Sequence, residues 1–155
     1  MKVENITIQY QGIGIEIPTY LDKYFPLDKP LNDWPTYCGP GKWLDWLVPD
    51  KINGAYINPA CFIHDCERSI GPKTWERFSA GNNRMLKNTQ SLVNAQLTGR
   101  DRLVANSRCS IYHYAIASTV GWWCYKPFFN SEDPLENLAL REKLMRLGYE
   151  FISLR

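Results

Sequence analysis

Residues 61–66 read Cys-Phe-Ile-His-Asp-Cys. On a helix, Cys61, His64, Asp65 and Arg68 are spaced i, i+3, i+4, i+7 and share one side. Histidine titrates near neutrality, so His64 is a candidate general base. Asp65 sits about 100° further round the helix axis. From there its carboxylate cannot orient the His64 ring in a useful line, and it is better placed to hold something beside the ring. A hard cation is the natural candidate. Calcium (Ca2+) takes oxygen ligands, backbone carbonyls among them, in irregular geometry. A second unusual stretch could supply those carbonyls: Tyr37-Cys38-Gly39-Pro40-Gly41. Glycine permits the dihedrals that turn carbonyls inward. Tyr37, Gly39 and Gly41 alternate along the stretch and could offer theirs, with Asp65 adding a carboxylate. Zinc fits less well, because the cluster holds one histidine and no Cys/His spacing of a structural site. Taken singly, the glycine stretch is a tight turn and the His-Asp pair a surface or satisfied pair. Their order, with a cysteine in each block, supports the sharper reading.

The elements that must position these groups follow from pattern. A helix is expected from Asn58-Pro59, a cap residue followed by a proline suited to the first turn, to the Gly71-Pro72 stop. A second helix is expected from Thr74 to about Gln96, with Trp75, Phe78, Asn82, Met85, Leu86 and Leu92 on one stripe. A third covers roughly Leu103 to Cys124; the uncharged stretch Cys109–Tyr125 is short and polar for a membrane span and reads as a buried helix. A fourth runs from an Asp133 cap with Pro134 and Glu136 to Gly148. Upstream, Ile6, Ile8 and Tyr10 alternate on one parity, and Ile13, Ile15 and Ile17 on the other. Two strands are implied, with a bulge or tight hairpin turn around Gly12. Residues 26–36 carry three prolines and read as loop.

Composition narrows the class. The 155 residues fit one domain with a real core. A net charge of +2 does not suggest a nucleic-acid binder. Six Trp, nine Tyr and six Phe are a heavy aromatic load, part of it available to a water–lipid interface. Trp34, Trp43 and Trp46 surround the glycine stretch, with Lys42 and Lys51 nearby. They are candidates for a collar that sits on a bilayer; the other reading is packing onto the core. Trp122, Trp123, Phe128 and Phe129 suit a core or a protein contact better than a lipid anchor. His113 is expected as a satisfied core histidine. The first ten residues lack a continuous apolar run, so no export signal is read there and synthesis in the cytoplasm is expected. Five cysteines allow at most two disulfides.

The Tyr-Cys-Gly-Pro-Gly loop followed by Cys-Phe-Ile-His-Asp-Cys resembles the phospholipase A2 superfamily, most of all its short viral and phage-type members. The resemblance covers roughly residues 34–128. It implies a mainly α fold with a small N-terminal β element, whose core is two antiparallel helices with a calcium loop and additional C-terminal helices. One domain is then expected over 1–155: an N-terminal hairpin and loop over 1–30, a core over 34–128 and a helical extension over 131–155. The resemblance implies calcium held by the carbonyls of Tyr37, Gly39 and Gly41 and by the Asp65 carboxylate. It makes His64 the base that takes a proton from water attacking the sn-2 ester of a glycerophospholipid, with the Gly39 amide at the oxyanion. It also implies a Cys38–Cys61 disulfide; in a reducing cytosol both would be thiols.

This chain departs from the family at several positions. The insertion 43–57 separates the motifs. Glu67 stands where the family has a cysteine, with Cys66 one place early. The aspartate that orients the histidine falls on Asn83, with Asn82 as the near alternative and Glu76 as a possible acid from elsewhere. An amide fixes a tautomer but does not stabilise an imidazolium by charge; in serine proteases the comparable change costs about 10⁴ in rate. Two functions therefore stand: a calcium-dependent phospholipase-A2-like hydrolase acting peripherally on a phospholipid bilayer, or a catalytically impaired binding or structural module. The viral-type loop suggests a phage or virus protein carried in a virion, with other virion proteins or a second copy as partners.

Overall fold

The computed structural model describes residues 4–23, 25–34, 51–69 and 74–125, apart from the side chains of 69 and 123–125. These residues are mostly helical, with a small antiparallel sheet at the N-terminal end.

Strands β1 (Asn5–Tyr10) and β2 (Ile13–Pro18) pair in register, Ile6 opposite Ile17 and Ile8 opposite Ile15. The parity change in the sequence is the hairpin turn at Gln11-Gly12, both at positive φ, +50° and +79°. That is the twist two-residue hairpins favour. A second hairpin, absent from the sequence reading, joins β3 (Lys51–Ile52) to β4 (Ala55–Tyr56). Its turn is Asn53-Gly54, again with two positive φ values. Asn-Gly between short apolar runs was the available signal.

Helix α1 spans Asn58–Ser69 and opens as the sequence implies, with the Cys61 amide donating to the Ile57 carbonyl. Helix α2 spans Trp75–Gln96 and is capped by Thr74, whose hydroxyl accepts from the Arg77 amide at 3.3 Å. The long third helix is instead two: α3 (Gly99–Ile116) and α4 (Thr119–Tyr125). The break falls at Ala117-Ser118, where the Ser118 hydroxyl accepts from the Gly121 amide and so caps α4. Nor is α3 a buried helix. Only Ala105 and Cys109 on it are buried, while Leu103, Ile111 and Tyr114 are exposed. α3 packs on α2 and also meets β3 and α4. The helix expected over 133–148 lies outside the described residues.

Two apolar clusters form the interior. One joins the N-terminal hairpin to α1 through Tyr10, Ile15, Ile17, Phe25, Trp34, Phe62 and Ile63. The other joins β3, β4 and α3 to α1 and α2 through Ile52, Ile57, Cys61, Met85, Val93 and Cys109. Trp34 is a correction to the lipid-collar expectation. It is 5% exposed, packs on Phe25 and Phe62, and its indole N–H donates to the Tyr10 hydroxyl at 2.8 Å. An indole with its donor satisfied inside an aromatic cluster is core. Trp43 and Trp46 lie outside the described residues. No described helix is long and apolar enough to cross a membrane.

Candidate active site

His64 stands in the middle of α1 and is 6% exposed. Its Nε2 lies 2.8 Å from the side-chain oxygen of Asn82 on α2. With the amide oxygen facing the ring, Nε2 is the donor and carries the proton, which puts the lone pair on Nδ1. This is the arrangement a general base needs: one nitrogen tied down, the other ready to take a proton.

The residue opposite the ring is Asn82, where the family alignment pointed to Asn83. Asn82 is fully buried and Asn83 is exposed. Helix geometry explains it. Asn82 lies on the same inward stripe as Phe78 and Met85, four residues before and three after, whereas Asn83 is turned about 100° away. The stripe had already placed Asn82 inside; the motif offset misled. Glu76 is exposed in the first turn of α2 and is not the partner of the ring.

The electrostatics keep the ring neutral. Burial is the main cause, pushing the His64 pKa down from 6.5 to about 3. The Arg68 guanidinium lowers it further, the Asn82 hydrogen bond raises it, and His113 lowers it slightly. Arg68 is one turn along α1 and its Nη2 reaches the Gly121 carbonyl of α4 at 3.4 Å. His113, half-buried on α3, approaches the backbone oxygen of Asn82 with Nδ1 at 3.2 Å. It is thus a satisfied histidine, as expected, and it touches the same asparagine that holds His64. Sequence spacing carried no sign of that link.

Beside His113, a crevice lined by Ile52, Ile57, Met85 and Cys109 separates α2 from α3. Its interior of about 10 Å³ has room for roughly one water, too little for an acyl chain. Burial pushes the Cys109 thiol up to about 11, which makes it a poor nucleophile at neutral pH.

Of the expected calcium donors, only Asp65 is described. It follows His64 on α1 and is half-buried. Tyr37, Gly39 and Gly41 lie outside the described residues. No group of three or more His, Cys, Asp or Glu side chains gathers as a metal site among the described residues. The donor set in question is one carboxylate with backbone carbonyls, and all-oxygen ligation suits a hard cation. Cys61 is disulfide-bonded, while Cys66 and Cys109 are buried thiols. The expected partner, Cys38, lies outside the described residues.

No protein-family model, curated protein or solved structure matches the chain. The function therefore rests on the site itself.

Proposed function

We propose that the chain is a calcium-dependent hydrolase of the phospholipase A2 type, with a core of two antiparallel helices and His64 as its base. The observation that carries this reading is the buried His64–Asn82 contact across α1 and α2, with Asp65 adjacent. That contact leaves Nδ1 of a neutral ring available. In the proposed reaction Nδ1 takes a proton from water as the water oxygen bonds to the sn-2 ester carbon. The same proton then passes to the departing glycerol oxygen as the ester C–O bond breaks. The products are a fatty acid and a lysophospholipid. The Gly39 amide donates to the developing oxyanion. Tyr37, Gly39, Gly41 and Asp65 would hold calcium, which when bound supplies a Lewis acid to the ester carbonyl. The chain would act at a phospholipid surface, in a phage or virus setting by family resemblance.

A second reading is favoured by one observation. The ring leans on an amide, and its pKa is about 3. Such a base is in the right protonation state at pH 7 but is weak. A protein that kept the fold as a binding or virion module could tolerate that. Fatty-acid release from mixed phospholipid vesicles separates the two. The hydrolase releases fatty acid only with calcium, stops with a chelator, and loses at least 100-fold in rate in His64→Ala. A folded parent with no calcium-dependent release rules out the hydrolase and leaves the module.

A further inference from the structure

We propose that the largely buried Glu67–Arg84 ion pair is a positioning device for the base, setting the roll of α2 against α1 so that Asn82 meets the His64 ring. This rests on the reading of His64 as the base.

The amide cannot hold itself in place. Asn82 is fully buried and bonds through its oxygen, while its Nδ2 has no hydrogen-bond partner. If the 2.8 Å contact lengthens, nothing else on that side chain keeps the oxygen toward Nε2. The ring proton is then free to sit on Nδ1, and the lone pair that would accept from water is lost.

The restraint comes from the other flank of α2. Glu67 is one turn beyond His64 on α1, and its carboxylate pairs with the Arg84 guanidinium. Arg84 is two residues beyond Asn82, about 200° around α2. Apolar packing of α2 on α1 is non-directional and fixes the roll less sharply than polar contacts do. Directional contacts on two flanks, His64–Asn82 and Glu67–Arg84, restrict that roll. Arg84 also bonds the side-chain oxygen of Asn5 at the start of β1, so the grip extends to the N-terminal hairpin. The Glu67 carboxylate lies against Gly81, the residue before Asn82, within 3.7 Å of where a Cβ would stand. The Arg84 side chain is 3% exposed and that of Glu67 12%. Buried ion pairs contribute little net stability against apolar replacements, and fixing register is their best-attested use.

The test is the tautomer of His64, read from imidazole ¹⁵N shifts at one neutral pH without added metal. In the parent the Nε2–H form dominates, by about tenfold or more. The double variant Glu67→Leu/Arg84→Met removes both charges and keeps apolar volume, a replacement that is often neutral for stability. In it the Nε2–H to Nδ1–H ratio falls at least threefold while cooperative unfolding persists. If the double variant does not fold, Glu67→Gln is read in the same way. An unchanged ratio in a folded variant makes the pair merely structural and overturns the proposal, as does a parent dominated by Nδ1–H. Hydrolysis is a separate readout: a parent with no vesicle activity removes the base reading without touching the tautomer result.

Discussion

The Asn82 amide accepts from the His64 ring without carrying charge, so it fixes the tautomer and does little for the imidazolium. Replacing Asn82 with Asp places a carboxylate at the 2.8 Å contact. An opposite charge there favours the protonated ring, so its pKa rises. If the chain is a hydrolase, Asn82→Asp increases calcium-dependent turnover at pH 7–8, by on the order of tenfold or more. The pH profile distinguishes the cause. In the parent the folded pKa of about 3 lies below the working range, so ring protonation does not cut the rate between pH 8 and 5. In Asn82→Asp an acid limb appears as the raised pKa enters that range. A flat profile and unchanged turnover would show that the ring does not move the proton. The same depressed pKa has a stability side. The neutral ring's contribution is present above the unfolded value of 6.5 and is lost as pH falls toward 3. At this scale the sequence was legible to one residue. His64 and Asp65 read correctly as neighbours on a helix. The partner of the ring did not, because motif offset pointed to Asn83 while helical phase pointed to Asn82.

Nothing between Leu103 and Cys124 breaks a helix outright, so the sequence alone predicts one helix where the structure has α3 and α4. The break comes from a serine and a glycine acting together. Ser118 caps α4, and Gly121 brings the two helices close: a Cβ there would run into the Ile116 carbonyl oxygen. Gly121→Ala therefore forces the turn open, at about 1–3 kcal/mol by the usual cost of overpacking. Because Arg68 reaches the Gly121 carbonyl, the change is felt on α1 as well. The check is a lowered unfolding midpoint for Gly121→Ala, with Gly121→Ser at least as low; an unshifted midpoint contradicts the packing. The starts of α1 and α2 were readable, since caps are local chemistry: Thr74 caps α2 through its own hydroxyl, whereas α3 begins at Gly99, ahead of the expected Leu103, with no side-chain cap to mark it. The β3–β4 hairpin was missed although Asn53-Gly54 marked it, because strands of two residues carry no alternation to count.

Across the whole molecule, α1 contributes to both apolar clusters, Phe62 and Ile63 to one and Cys61 to the other. Composition foretold a core and a surplus of aromatic residues, but not which aromatics went where. An indole suits both a lipid interface and a core with one polar partner. Trp34 settled in the core, hydrogen-bonded to Tyr10, whose hydroxyl also donates to the Lys29 carbonyl. Trp34→Ala then costs about 3–5 kcal/mol of stability and leaves partitioning onto phospholipid vesicles within twofold of the parent, once the folded fractions are matched. Weakened vesicle binding with an unchanged unfolding midpoint would return Trp34 to the surface. The mainly helical fold with its N-terminal hairpin was legible from periodicity and cap residues; the seating of each tryptophan depended on contacts between distant segments. Asn82 is gripped twice, through its side chain by His64 and through its main chain by His113. A mutational scan changes only side chains. It will therefore score position 82 and position 113 as unrelated losses, although one residue carries both contacts, and the link will surface only as epistasis when the two are changed together.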